Sequence, residues 1–114
     1  MEWYILKNIT HSGMDTVATI EVPAKSPWFS GHFPDMPVLP GIAQLDMVHE
    51  IIEHSTGLNL RLRRLSRVRF KRNIMPDQSF DIVITPLEQS ALSFSFRITD
   101  RDGLILSGIM DLEE

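Results

Sequence analysis

An α+β fold, one helix laid against an antiparallel sheet, is what this sequence predicts, and three observations predict it. Residues 39–57 carry the one convincing helical spacing of apolar residues. The segments after it alternate apolar and polar residues with the two-residue period of half-buried strands. Two further strand-like segments precede it, so a single helix must serve a sheet of about six strands by covering one face. With 114 residues the chain can bury one core, and a single domain over residues 1–114 is expected.

The elements follow in order. Residues 3–9 (WYILKNI) and 15–22 (DTVATIEV) combine β-branched and aromatic residues, with turn formers between them. A proline- and glycine-rich stretch from Trp28 to Gly41, WFSGHFPDMPVLPG, then leads to the helix. Pro40 is tolerated at a helix start, where its missing N–H would have no intrahelical partner, and Gly57 suits the C-terminal stop. On a helical wheel Ala43, Leu45, Met47, Val48, Ile51 and Ile52 share an apolar arc. Asp46, His49, Glu50 and Glu53 fall opposite, which by itself makes Asp46 a surface charge and His49 a solvated helix residue. Gln44 falls inside the apolar arc, a place for an amide only if it meets a partner. Beyond the helix, residues 66–72 set Val68 and Phe70 on one face and Arg67, Arg69 and Lys71 on the other. Residues 79–87 follow a Pro76–Asp77 turn, and residues 91–99 place Leu92, Phe94, Phe96 and Ile98 on one face. DRDG at 100–103 is a hairpin turn, and residues 104–112 form the last strand.

The hydrophobic fraction of 43% and charged fraction of 23% are ordinary for a globular protein and argue against disorder. No stretch reaches the roughly 18 apolar residues of a membrane span, and MEWYILKNIT lacks the basic start and small-residue end of a signal peptide. No membrane partner is expected. The absence of cysteine removes disulfides, thiolate chemistry and Cys-ligated metal. It fits a cytoplasmic location, though export is compatible with it as well. The net charge of −4 is unevenly spread: RLRRLSRVRFKR, from Arg61 to Arg72, holds seven of the eleven basic residues. Such a block either meets an anionic partner or protects a sheet edge from aggregation, and both readings stay open here.

The chemistry-bearing residues cluster around the helix start. A helix opening with Pro40–Gly41 presents backbone N–H groups with partial positive charge, and glycine permits close approach of a ligand oxygen. Asp46 lies one and a half turns further on, roughly 8 Å along the axis. His32 sits on the preceding loop, stiffened by Pro34, Pro37 and Pro40. An imidazole titrating near neutrality, a carboxylate and a helix-start amide are the parts needed to remove a proton next to a carbonyl. A structural loop histidine is the competing reading of the same residues.

GHFPDMPVLPG followed by IAQLD resembles the active-site signature of the β-hydroxyacyl-acyl carrier protein dehydratases of fatty-acid synthesis (FabA/FabZ type). That pattern is GHFP, two residues, P, two residues, PG, then an acidic residue five positions after the glycine, and all of it is present. VRFKRNIMPDQSF is similar to the family's strand-and-turn segment, and the resemblance spans about residues 15 to 112. It implies a hot-dog fold, a long antiparallel sheet wrapped around a central helix, and a homodimer or higher oligomer of dimers. Each site would take its histidine from one chain and its acid from the other. By position His32 matches the catalytic histidine, Asp46 the catalytic acid, and Gly41 the glycine whose amide polarises the thioester carbonyl.

The implied reaction is a hydro-lyase reaction needing no metal or organic cofactor. Water leaves a (3R)-hydroxyacyl thioester to give the trans-2-enoyl thioester, in fatty-acid or related polyene or polyketide synthesis. Phe33, Trp28, Phe29, Pro40 and Glu50 are the expected substrate-binding residues, and the partner implied is an acyl carrier protein. Such carriers are acidic, so Arg63, Arg64, Arg67 and Lys71 would steer one to the site. Three departures from the family pattern bear on substrate choice. The N-terminal Pro-His-Arg motif of many relatives is missing, so the tunnel end would be covered differently. Glu50 stands where Gln is common, putting a second carboxylate one turn from Asp46, and Gln44 replaces an apolar residue. The competing functions are a catalytically silent acyl-binding subunit that pairs with an active dehydratase, thioester hydrolysis on the same fold, and nucleic-acid binding through the arginine strand. The acidic overall balance counts against nucleic acid.

Overall fold

Six strands form one antiparallel sheet in the computed structural model, which describes residues 3–29 and 38–114. In chain order they are β1 (Ile5–Ser12), β2 (Asp15–Glu21), helix α1 (Gly41–Thr56), β3 (Arg61–Phe70), β4 (Ser79–Pro86), β5 (Ser93–Asp100) and β6 (Gly103–Glu113), with a 3-10 turn at Pro27–Phe29. Across the sheet the order is β1-β2-β4-β5-β6-β3, every pair antiparallel. This is the α+β arrangement expected from the sequence.

The register explains where the core sits. Ala18, Ile82, Ile98 and Leu106 lie opposite one another in one row across four strands. Thr16, Ile84, Phe96 and Gly108 form the next row. All eight are buried, and alternate residues along each strand repeat the pattern. Each fully buried Ile, Leu or Phe in these rows contributes about 1.5–3 kcal/mol relative to exposure. Gly108 is required by its neighbour: a Cβ there would stand 2.7 Å from Cζ of Phe96. Helix α1 covers this face with Ala43, Gln44, Met47, Val48, Ile51 and Ile52 and lies over β4. Leu45, expected in the same arc, is only half-buried. The helix stops at Gly57, whose φ of 74° is the left-handed conformation glycine adopts freely and whose N–H donates to Glu53 O at 2.8 Å.

The two edge strands depart from the sequence expectation. β1 runs later than residues 3–9, and β3 begins at Arg61, five residues before the expected start. β3 carries irregularities between Leu62 and Arg64 and between Ser66 and Arg69, and Arg67 takes a φ of 54°. These bulges interrupt strict alternation, so Arg67 is not a regular outward-facing position. Val68 and Phe70 do share a side, meeting Gly108 and Gly41 respectively, yet remain exposed.

Candidate functional site

The start of α1 is built by three contacts. Leu39 is buried and its N–H donates to Ile74 O at 2.8 Å. Gln44 Nε2 donates to Leu39 O at 3.3 Å, which is the partner that an amide in the apolar arc needs. Pro40 O accepts from the amides of Ala43 and Gln44 at 3.1 and 3.2 Å. The chain therefore turns into the helix at a fixed point, and Pro40 as N-cap offers no side-chain acceptor. The first amides of a helix have no intrahelical partner and carry the positive end of its dipole, which makes Gly41 N–H a free donor type. A Cβ on Gly41 would stand 3.8 Å from the Phe70 ring, an ordinary contact, and Gly41 is not among the positive-φ glycines. Among the described residues, nothing in the chain's own packing demands glycine there.

Asp46 is exposed on the polar side of α1, as the wheel predicts, but it faces hollows rather than open surface. One cavity, about 420 Å³, is lined by Trp3, Tyr4, Trp28, Asp46, Met47 and Glu50. A second, about 410 Å³, is mostly apolar, with Ile42, Leu45, Leu62, Leu65 and Met110 beside Trp28, Asp46 and His49. Trp28 and Asp46 border both. His49 is half-buried rather than solvated: its Nε2 lies 2.7 Å from Leu60 O, and Glu53 accepts the Leu60 N–H at 2.9 Å. A larger hollow, about 870 Å³, lies by the β5–β6 turn, at the end of the sheet that holds Asp100 and Asp102. Two of its charged groups serve each other. Arg72 donates to Asp100 Oδ1 at 2.6 Å and to Gly103 O at 2.8 Å, and the guanidinium's hydrogen bond holds the Asp100 carboxyl below the usual carboxylate range. That end reads as a structural clamp.

The wall of the first cavity comes from residues preceding β1. Tyr4 Oη donates to Glu50 Oε2 at 2.5 Å. Burial pushes the Tyr4 phenol well above its ordinary value, and the hydrogen bond to Glu50 and the Glu50 and Asp46 charges push it further. It stays protonated across the working pH range. Ser26, itself buried, donates to Trp3 O at 2.7 Å and accepts the Trp28 N–H at 3.3 Å. The Trp3 and Trp28 rings meet edge to face with centroids 4.8 Å apart. Sequence reasoning missed Tyr4 and Trp3 as site residues, because their partners lie 46 and 23 residues away in the chain.

The remaining expected residues fall as follows. His32 and Phe33 lie outside the described residues. Phe29 is in the core, 8% exposed, and borders neither of the two cavities, whereas Trp28 borders both. Pro40 caps the helix and Glu50 lines the first cavity. Arg63, Arg64 and Arg67 are exposed on β3, and Lys71 just beyond it. Among the described residues no ion pair engages these four, while Arg61 pairs with Glu113 at 3.1 Å. Among the described residues there is also no cluster of three or more His, Asp or Glu able to hold a metal, and no helix long and apolar enough to cross a membrane.

A family model described as ApeI dehydratase (ApeI-like) matches residues 8–109. The chain belongs to the ApeI-like dehydratase family. Two curated relatives carry the name 3-hydroxyacyl-[acyl-carrier-protein] dehydratase FabZ. That of Clostridium perfringens is 26% identical over 108 residues, covering 88% of this chain and 76% of the relative. That of Oceanobacillus iheyensis is 29% identical over 79 residues, covering 63% of this chain and 56% of the relative. The chain thus spans little more than half the length of the latter. Among solved structures, a chain of the dehydratase heterocomplex ApeI:P from Xenorhabdus doucetiae superposes with a TM-score of 0.86 at 23% identity, each chain covered in full. This ApeI-like chain therefore has the hot-dog fold, and its kinship is with FabA/FabZ-type dehydratases.

Proposed function

We propose that this chain is a (3R)-hydroxyacyl thioester dehydratase. The observation that carries the reading is the pairing of Asp46, bordering two cavities, with a helix start whose glycine is not demanded by packing among the described residues. In the reaction, Gly41 N–H donates to the thioester oxygen as negative charge grows there. His32 takes the proton from C2, and that electron pair becomes the C2–C3 double bond. Asp46, directly or through water, assists departure of the C3 hydroxyl, which takes up a proton passed on within the site as the C–O bond breaks and leaves as water. The product is the trans-2-enoyl thioester. Pro40 fixes the helix start, and Trp28, Glu50 and Phe33 line the acyl path.

The site is completed by a second copy, which brings His32 to the first copy's Asp46. Support comes from β3, an edge strand whose Leu62, Val68 and Phe70, together with Ile42, expose apolar surface beside the helix start. The substrate arrives on an acyl carrier protein, an acidic partner suited to Arg63, Arg64, Arg67 and Lys71 on the same edge. A second reading, a subunit that works only with a different dehydratase chain, is favoured by one observation: the Xenorhabdus neighbour sits in a heterocomplex.

The deciding experiment follows hydration of a crotonyl thioester at the enoyl absorbance for the unsubstituted protein, His32→Ala, Asp46→Asn and a mixture of the two variants. Activity lost in each variant and regained on mixing is expected. Full activity in both variants ends the assignment, and an inactive unsubstituted protein that gains activity only with another dehydratase chain selects the second reading.

A further inference from the structure

Glu50 differs from Asp46 in one respect the dehydration scheme does not use: it is tethered. Tyr4 donates its only hydroxyl proton to Glu50 Oε2, at 2.5 Å. The phenol cannot swing away freely, because the preceding residue is fastened twice, by Ser26 Oγ to the Trp3 carbonyl and by the Trp3–Trp28 ring contact. A carboxylate has two oxygens and about four acceptor positions, so one oxygen tied to Tyr4 leaves the other to accept from a ligand. Glu50 lies one helical turn from Asp46, and residues four apart on a helix face the same way. Both border the same cavity, as does Tyr4.

We infer that Tyr4 is a positioning residue that holds Glu50 as a fixed hydrogen-bond acceptor for the C3 hydroxyl of the substrate. This rests on the dehydratase reading and deepens it. Asp46 assists departure of the hydroxyl, while Glu50 accepts that hydroxyl's own hydrogen and so orients its oxygen toward Asp46. The site then distinguishes a 3-hydroxyacyl thioester from the same chain without the hydroxyl, because a group built to pair with a hydroxyl loses that bond with the deoxy ligand. Tyr4 makes the difference by removing the freedom of an otherwise exposed, flexible side chain.

The test is binding, followed by the fluorescence of Trp3 and Trp28, of (3R)-hydroxybutyryl and butyryl thioesters. It is made in the His32→Ala background so that the hydroxy ligand is not consumed. Tyr4→Phe and Glu50→Ala are each expected to weaken hydroxybutyryl binding by roughly ten- to a hundredfold, the range for one hydrogen bond to a charged group. Butyryl binding should weaken far less than hydroxybutyryl binding, and the double variant should be no weaker than the weaker single one. Equal weakening for both ligands makes Tyr4 merely part of the cavity wall and overturns the proposal. Unchanged hydroxybutyryl affinity, or losses that add in the double variant, overturn it too. Tyr4→Phe, which keeps Glu50 and the ring, carries the test alone if Glu50→Ala fails to fold. Failure of the dehydratase reading shows separately, as undiminished hydration by His32→Ala and Asp46→Asn.

Discussion

Gly41→Ala separates what the helix start does for the fold from what it does for a ligand. Among the described residues a Cβ built there meets the Phe70 ring alone, at 3.8 and 3.9 Å, which is normal contact with no clash to relieve. Replacing a helical glycine by alanine removes freedom from the unfolded chain and contributes about 0.4–1 kcal/mol of stability where the conformation is compatible. Thermal unfolding should therefore be unchanged or shift upward, by no more than about 5 °C for a domain of this size. Activity should respond in the opposite sense. A thioester oxygen hydrogen-bonded to the Gly41 amide would approach to ~3 Å, where the new methyl crowds it, and loss of one such donor lowers kcat by about 10²–10³. Gly108→Ala is the control. Its Cβ would sit 2.7 Å from Phe96 and 3.2 Å from Val68, so overpacking should cost about 1–3 kcal/mol and lower the Tm. The assay is crotonyl thioester hydration beside thermal unfolding for both variants. A folded Gly41→Ala protein with undiminished hydration would refute the role given to that amide.

Two further outcomes are expected. Because the Arg72 hydrogen bond depresses the Asp100 carboxyl in the folded protein, its stabilising effect is complete above the ordinary carboxylate value of about 3.9 and is lost as pH falls through the lowered one. Urea unfolding of Asp100→Asn should show lower stability at neutral pH and a shallower fall below pH ~4 than the unsubstituted protein; parallel curves would contradict this. Added salt should raise KM for carrier-bound substrate far more than for a short soluble thioester, since exposed charges are screened within about 10 Å at 0.1 M. Equal responses would remove the arginine edge from carrier docking.

The helix and the four interior strand signals were legible because their physics is local. Ala43, Met47, Val48, Ile51 and Ile52 repeat at helical spacing, and Phe94, Phe96 and Ile98 alternate because β5 is paired on both sides and covered on one face. Edge strands obey weaker constraints. The Arg61–Phe70 strand is exposed along nearly its whole length and bulged twice, so neither burial nor alternation marks its beginning. Gln44 announced itself as an anomaly, and Leu39 O is its answer. Asp46 and Gly41 were singled out by motif, whereas the contacts of Tyr4 and His49 were not foreseen, since nothing in WYIL or VHEI signals a contact with Glu50 or Leu60.

The position of β3 bears on how the chain reaches this state. β3 is made before β4, β5 and β6, yet its hydrogen-bonded neighbour is β6, with Arg61 opposite Glu113, 52 positions further along the chain. Long-range pairings of this kind fold slowly, because the loop must close before the contact rewards it. During synthesis the arginine-rich strand and the side chains of Leu62, Val68 and Phe70 therefore wait undocked until Glu113 has left the ribosome. Shortening β6 from Glu113 would free both its neighbours at once, opening the sheet from the end beside Leu60, where His49 and Glu53 of the helix are anchored.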